Sequence, residues 1–434
     1  MRRILCCLLV AAGFTTVYAD ENLKKQVDRS VDRIEAKVIE WRRHFHQYPE
    51  LSNREFKTAQ MVAEHLTRLG LDVKTGVAHT GVVGLLKGGK PGPVVALRAD
   101  MDALPVTERV DVPFASKVRA EYNGQEVGVM HACGHDTHTA ILMGVAEILS
   151  SMKKDLKGSV KFIFQPAEEG APPGESGGAG LMVKEGVLDN PKVDAIFGLH
   201  IWATREVGTI GYRPGGVMAA SDGLRITVKG KQTHGSTPWT GVDPITVSAQ
   251  IIMGLQTIIS RQTELTEDAA VITIGSIHGG VRSNIIPDQV EMIGTIRTLN
   301  ADMQDKIHEK IRLTVTKIAE SAGATAEVRI GKGCPVTYND PELTAMMLPT
   351  LKEAAGAESV KLIKAITGAE DFSCYEQKVP GLFFFLGGMP KGTKPEEAAP
   401  HHSPDFYVDE SGLKLGVRAL SYLALDYMDR NSSQ

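Results

Sequence analysis

Residues Met130 to Ala140 read MHACGHDTHTA, which gathers His131, His135, His138, Cys133 and Asp136 into one short stretch. A thiolate and imidazoles are the donors that bind zinc-like cations, and the glycine between Cys133 and His135 lets the backbone fold tightly enough for both to face one ion. A lone cysteine or histidine is more often an inert buried side chain. The density here changes that balance, because so much buried polarity is costly to satisfy unless something binds. Further along, QPAEEG offers Glu168 and Glu169 just beyond the break at Pro166. A bare Glu-Glu pair usually faces water. At a strand end shared with Cys133, however, such a pair can divide the labour, one carboxylate binding metal and the other taking a proton from water. That chemistry is hydrolysis.

Other candidates are ambiguous alone. His200 closes the apolar run VDAIFGLH, where a satisfied core histidine and a ligand are equally expected. His401 and His402 lie in PHHSPDF, between prolines that stiffen the loop, and the residue types do not choose between them. Asp100 and Asp102, separated by one residue in RADMDALP, point the same way on an extended strand, and either could orient an imidazole from behind.

These residues need a scaffold that brings distant segments together. Val27, Val31, Ile34, Val38 and Trp41 recur at helical spacing up to Pro49, which predicts an amphipathic opening helix. The runs VVAL, VKFIF, VDAIFGL and GLFFFLGG read as buried strands, the first three closing on polar clusters; helical patterns lie between them, notably from about Thr139 to Leu149, and a closing helix spans about Gly412 to Met428. This predicts an α/β fold with helices on both faces of the sheet and ligands bound beyond the strand ends. From about Ala219 to Gly333 the pattern changes to strand 224–229, helix 244–260, strands 270–277 and 289–297, helix 300–322 and strand 325–330. That β-α-β-β-α-β order is a ferredoxin-like unit inserted in the first domain. The Gly- and Pro-rich stretch EEGAPPGESGGAG predicts a mobile loop beside Glu168 and Glu169.

At 434 residues the chain is long enough for two or three domains, and with 42% hydrophobic and 23% charged residues it reads as soluble and globular. A net charge of −4 without a basic stripe disfavours nucleic acid as a partner. The first twenty residues combine a basic start, an apolar stretch too short to span a bilayer and small residues ending at Ala19. They predict a removable signal peptide, export to the periplasm or medium, and no stable membrane insertion. Cys133, Cys334 and Cys374 then remain, an odd count that leaves at least one free thiol and leaves pairing of Cys334 with Cys374 open.

RADMDALP, MHACGHDTHTA, QPAEEG, GLH, HGSTP, SNIIPDQVEMIGTIR, GAEDFS and HHSPDF resemble, in order and spacing, the metal-dependent amidohydrolases of the aminoacylase and carboxypeptidase superfamily, closest to the N-acyl-amino-acid, hippurate and indole-acetyl-amino-acid hydrolases. The resemblance covers nearly all of the chain after residue 30. It implies a metallopeptidase-type catalytic domain over 20–218 and 334–434 after the signal segment 1–19, with 219–333 as a dimerisation and lid domain. It also implies two divalent metal ions (zinc, manganese, cobalt or nickel) held by Cys133, His135, Glu169, His200 and His402, the last preferred to His401 because it directly precedes Ser-Pro. Glu168 is then the general base and Asp102 the orienting aspartate, while Asp100 stands where related carboxypeptidases have a histidine ligand; Asp136 and His138 are second-rank candidates behind the ligands. His234 matches a histidine that crosses a homodimer to a neighbouring site, and Asn284 and Arg297 match polar residues of the same domain. Trp239 departs from the pattern, which has a histidine there. The implied substrate is an N-acyl amino acid or a short peptide. Alternatives are a dipeptidase or carboxypeptidase, a non-catalytic metal- or ligand-binding homologue, and a thiol enzyme using Cys133, which leaves the glutamate pair and His200 unexplained.

Overall fold

The computed structural model describes residues 21–432, so the segment read as a signal peptide lies outside them. The opening helix runs over Glu21–Gln47, burying Val27, Val31, Val38, Trp41 and Phe45 along one stripe and stopping before Pro49 as its spacing predicts.

The main sheet has eight strands, in the spatial order Asp72–Val77, Gly81–Lys87, Lys157–Gln165, Lys90–Asp100, Ala195–Glu206, Gly381–Met389, Ile210–Tyr212 and Val360–Leu362. Its middle four strands run parallel and the strands outside them include antiparallel pairs, so the sheet is mixed. Both faces are covered. Val95, Leu97, Phe384 and Leu386 enter one core with the opening helix, the His135–Ser151 helix and the closing Leu413–Arg430 helix. Their neighbours Ala96, Phe383 and Phe385 enter a second core on the other face with Met182, Phe372 and Tyr375. Two-sided burial is why these strands read as unbroken apolar runs rather than alternating ones.

One strand boundary and one helix boundary differ from expectation. The Ala195–Glu206 strand continues past His200, so that histidine projects from within a strand rather than at its end. The helix expected from Thr139 begins at His135, and its first turn is concealed in the sequence because His135, Asp136 and His138 are buried polar residues rather than an exposed face.

The inserted unit forms a four-stranded antiparallel sheet in the order Ala270–Gly279, Gln289–Thr298, Ala220–Lys229, Thr325–Lys332, with helices Pro244–Gln262 and Ala301–Ser321. It has its own core, with Leu224, Ile226, Ile251, Leu255, Ile307 and Ile311 buried. Asp243 caps the first helix ahead of Pro244, and Asn300 caps the second. The two connections to the main body run side by side, with Ser221 N–H donating to Cys334 O at 3.0 Å and Gly333 N–H to Ser221 O at 3.0 Å.

A buried polar clamp fixes the opening helix to the helix that starts at His135. Asp136 forms an ion pair with Arg42, 2.9 Å from its Nε, and accepts from His46 Nδ1 at 2.8 Å, and His46 Nε2 meets Glu108 at 3.0 Å. Asp136 therefore faces away from the thiol cluster, which corrects its reading as a residue behind the ligands. Burial alone raises the Asp136 carboxyl, but Arg42 and His46 outweigh it and hold it well below the usual range. Burial likewise lowers His46, and its two carboxylate partners outweigh that and raise it. A lowered acid contributes stability above its unfolded value of about 4, lost as pH falls through the folded value, and a raised histidine contributes it below about 6.5, lost as pH rises through the folded value. The clamp is thus strongest between those limits. Asp136→Asn is expected to cost about 3 kcal/mol by leaving Arg42 without its buried partner. Melting temperatures of wild type and variant should differ most at pH 4 to 6.5, within roughly that window, and converge in more acidic buffer.

Candidate metal centre

The centre is built on a backbone turn. Gly134 caps the His135 helix at φ 94°, and a Cβ there would sit 2.2 Å from Ile201 Cγ2, so only glycine fits. Cys133 and His135 flank it. Cys133 Sγ lies 3.4 Å from His200 Nε2, 3.3 Å from His402 Nε2 and 3.7 Å from His401 Nδ1. His402 Nε2 is also 3.1 Å from Glu169 Oε1. His135 Nε2 faces Glu168 Oε2 at 3.8 Å and Glu169 Oε1 at 3.9 Å. The five expected ligand residues and Glu168 therefore converge from four separate segments.

Hydrogen bonds fix which imidazole nitrogen is free. His200 Nδ1 donates to Ile201 O at 2.6 Å, which leaves the Nε2 lone pair toward Cys133. Burial depresses this ring well below its ordinary value, so it is neutral. His135 Nδ1 donates to Asp102, through the carbonyl at 2.8 Å and the carboxylate at 3.2 Å. Its buried Nε2 has no hydrogen-bond partner, an atom that a cation would satisfy. Burial lowers His135, but Asp100, Asp102 and Glu169 outweigh it and push it up to about 10. Positive charge is strongly stabilised at that nitrogen.

The other two histidines of the cluster are spoken for. His138 Nε2 accepts from Ile201 N–H at 2.8 Å while Nδ1 meets Asp100 at 2.5 Å. His401 Nε2 accepts from Ala203 N–H at 3.1 Å, so its Nδ1 carries the proton facing the Cys133 sulfur. That pattern separates His402, with Nε2 aimed at Cys133 and Glu169, from its neighbour.

Asp102 does more than orient His135. Its carboxylate accepts from the backbone N–H groups of Glu168 at 3.1 Å and Glu169 at 3.0 Å and from Ser52 Oγ at 2.7 Å. It touches no open space, so it positions the catalytic loop rather than reacting. Glu55 aids it by accepting from Ala167 N–H at 2.9 Å, beside the left-handed Ala167 at φ 52°. The loop beyond Glu169, expected to be mobile, is tied down: Arg54 meets Glu175 at 2.5 Å, and Asn53 reaches Glu175 at 3.0 Å and Ser176 O at 3.1 Å.

Residues overlooked in the sequence lie behind Glu168. Buried Arg98 binds Asp100 at 2.7 Å, Glu370 at 2.9 Å and Asp371 at 3.0 Å. Glu370 and Asp371 belong to GAEDFS, and Glu168, Glu370 and Asp371 form one group of oxygens within 4.8 Å. Burial first, then the charges of Glu370, Glu169 and Asp371, raise Glu168 well above the usual carboxylate range.

His234, Asn284 and Arg297 are not brought to this cluster within the chain. His234 pairs with Ile285 on a two-residue strand, is exposed, and its ring meets Ser236 Oγ at 2.8 Å. Asn284 lies beside it through Gly235 N–H, which donates to Asn284 O at 2.9 Å. Arg297 donates to Ile296 O at 3.1 Å. Among the described residues, no hydrogen bond or ion pair joins these three to Cys133 or its neighbours. Cys133, Cys334 and Cys374 are all free thiols.

A mixed sheet whose parallel core carries thiol, imidazole and paired glutamates at one place defines a metal-dependent hydrolase of amide bonds. The chain belongs to peptidase family M20/M25/M40, whose model matches residues 96–426. It is 43% identical over 411 residues to thermostable carboxypeptidase 2 of Saccharolobus solfataricus, covering 94% of this chain and all of that one. It is 38% identical over 392 residues to the N-acetylcysteine deacetylase of Bacillus subtilis, covering 90% of this chain and 96% of that one. A crystal structure of a dinuclear metal binding peptidase from the M20 family, from Bacillus subtilis, superposes with a TM-score of 0.77 at 36% identity, covering 92% of this chain and 99% of that one.

Proposed function

We propose that the protein hydrolyses the amide bond of N-acyl amino acids, releasing a carboxylic acid and a free amino acid. The observation that carries this reading is the convergence of Cys133 Sγ, His402 Nε2 and Glu169 beside His135 Nε2, a buried donor atom without a partner, with the Glu168 carboxyl 3.8 Å away. Cys133, His135, Glu169, His200 and His402 would hold two divalent cations, a donor set that suits zinc, manganese, cobalt or nickel. Bound there, such cations supply Lewis acidity and make water a nucleophile at neutral pH. Glu168 takes the proton that water gives up and returns it to the leaving nitrogen. His138, Asp100 and Asp102 hold the imidazoles and the glutamate loop in place. The dinuclear relative and the deacetylase and carboxypeptidase relatives support this reading.

The finer parts of the proposal are a homodimer through residues 219–333, in which exposed His234 of one subunit donates to the oxyanion forming in the other, and export after removal of residues 1–19. Trp239 and Val281 on the same unit are 78% and 94% exposed. No helix among the described residues is long and apolar enough to cross a membrane.

The test is amine release from N-acetyl, N-benzoyl and N-indoleacetyl amino acids and a few dipeptides, with protein as purified, after chelation, and after zinc or manganese is returned. Release should vanish on chelation and recover with metal. Release from dipeptides alone would favour the carboxypeptidase reading, and activity indifferent to chelator would overturn both.

A further inference from the structure

Behind Glu168 the fold collects more negative charge than it balances. Oxygens of Glu168, Glu370 and Asp371 lie within 4.8 Å of one another, and the two residues from GAEDFS are buried. Arg98 is the one lysine or arginine that pairs with them among the described residues, and it also serves Asp100 at 2.7 Å. Glu169 turns its Oε1 to His402 and belongs to the centre described above, so it stays outside this balance. Burial, which Arg98 counters without cancelling, pushes Glu370 up to about 7 and Asp371 up to about 6. Three carboxyls around one shared guanidinium bury a net negative charge, which is costly unless a cation meets it. The oxygens also show where it would bind. Glu370 Oε1 accepts from Arg98 at 2.9 Å and from Phe372 N–H at 2.8 Å, whereas its buried Oε2 has no hydrogen-bond partner. Asp371 Oδ2 accepts from Ala179 N–H at 2.7 Å, which leaves it a second lone pair.

We propose that Glu168, Glu370 and Asp371 form a third cation site, apart from the two-ion centre, which takes a hard divalent ion when metal is in excess and withdraws Glu168 from proton transfer. A set made of carboxylate oxygens alone suits manganese, magnesium or calcium, in contrast to the thiolate and imidazoles that hold the first two ions. Arg98 repels an incoming cation, so the site binds weakly, with a Kd of about 0.1 to 1 mM, and fills after the centre is loaded. The consequence is inhibition by metal, because an ion on the Glu168 carboxylate occupies the lone pair that takes the proton from water. Binding rests on the geometry of the three acids, and inhibition rests also on the reading of Glu168 as the general base.

Zinc-loaded protein dialysed to two equivalents is titrated with manganese, with bound manganese counted by electron paramagnetic resonance and zinc by elemental analysis. One further equivalent should bind while zinc stays constant. Glu370→Gln keeps an acceptor for Arg98 and Phe372 N–H but replaces Oε2 with an amide nitrogen, and it should weaken that equivalent at least about tenfold. Glu126→Gln, on the exposed hairpin of strands Arg119–Tyr122 and Gln125–Gly128, should leave it unchanged. No third equivalent, manganese that replaces zinc mole for mole, or a third equivalent indifferent to Glu370→Gln overturns the site. Anomalous scattering from manganese-soaked crystals of the unaltered protein decides the same question without a variant, through a peak among the three carboxylates or its absence. At about ten times the measured Kd, amide hydrolysis should slow about tenfold in wild type and within about twofold in Glu370→Gln, each relative to the same protein without manganese. A third equivalent with an unchanged rate keeps the site and overturns both its inhibitory role and the assignment of Glu168 as the base. If wild type hydrolyses no member of the panel, the hydrolase reading fails while the count of bound manganese still decides the site.

Discussion

Glu168→Gln is expected to lower kcat by about three to four orders of magnitude while metal content stays at the wild-type level. The amide is nearly isosteric with the carboxyl, so it keeps the loop conformation that Asp102 fixes through the two backbone N–H groups. What it loses is the ability to carry a proton. The setting of Glu168 makes that loss decisive: burial and the carboxylates of Glu370, Glu169 and Asp371 all raise its proton affinity. Of the two acids beside it, Asp371 is held through both oxygens by Arg98, Gln165 and Ala179 N–H, and Glu370 through one oxygen by Arg98 and Phe372 N–H. Single-turnover kinetics together with elemental analysis decides the matter, and activity within about tenfold of wild type would remove Glu168 from the role.

The second large effect separates adjacent histidines. His402→Ala removes the Nε2 atom that faces both Cys133 and Glu169. It should abolish retention of one of two metal equivalents and with it nearly all turnover. His401→Ala removes a ring that accepts from Ala203 N–H and presents its other nitrogen to the Cys133 sulfur. A residue of that kind, supporting a ligand from behind, is worth about 10- to 100-fold in metal affinity. His401→Ala should therefore still fill both sites at high metal concentration. Equilibrium dialysis of the two variants reads the difference directly, and the reverse order would transfer the ligand role to His401.

The sequence carries much of this arrangement because several signals were local. The glycine between Cys133 and His135, the proline ahead of Glu168-Glu169 and the β-α-β-β-α-β periodicity of the insertion each depend on residues close together in the chain, and the structure has those elements at those places. What escaped notice depends on tertiary contact. Residue type alone does not separate His138 from His135 in MHACGHDTHTA; the family resemblance implies different roles, and the Ile201 N–H bond to His138 gives the physical reason. Arg98 lies in a strand whose apolar neighbours hide it, and two of its three acidic partners, Glu370 and Asp371, are 272 and 273 residues away. Asp136 turns toward the opening helix because a helix start rotates successive side chains by about 100°. The loop after Glu169 looked mobile from its glycines and prolines, but its restraints come from Asn53 and Arg54.

Cys133 and His402 are separated by 269 positions, and both meet Glu169, which belongs to a third segment. A ribosome that has made even nine-tenths of this polypeptide has therefore not made a place for the second cation. Donor sets assembled from such remote parts have no counterpart in the unfolded chain. Loading must come after the chain is released and collapsed, so the ion acquired is governed by the supply where folding finishes rather than where synthesis begins. The same translation product, allowed to mature in two surroundings with different metal supplies, would yield two enzymes.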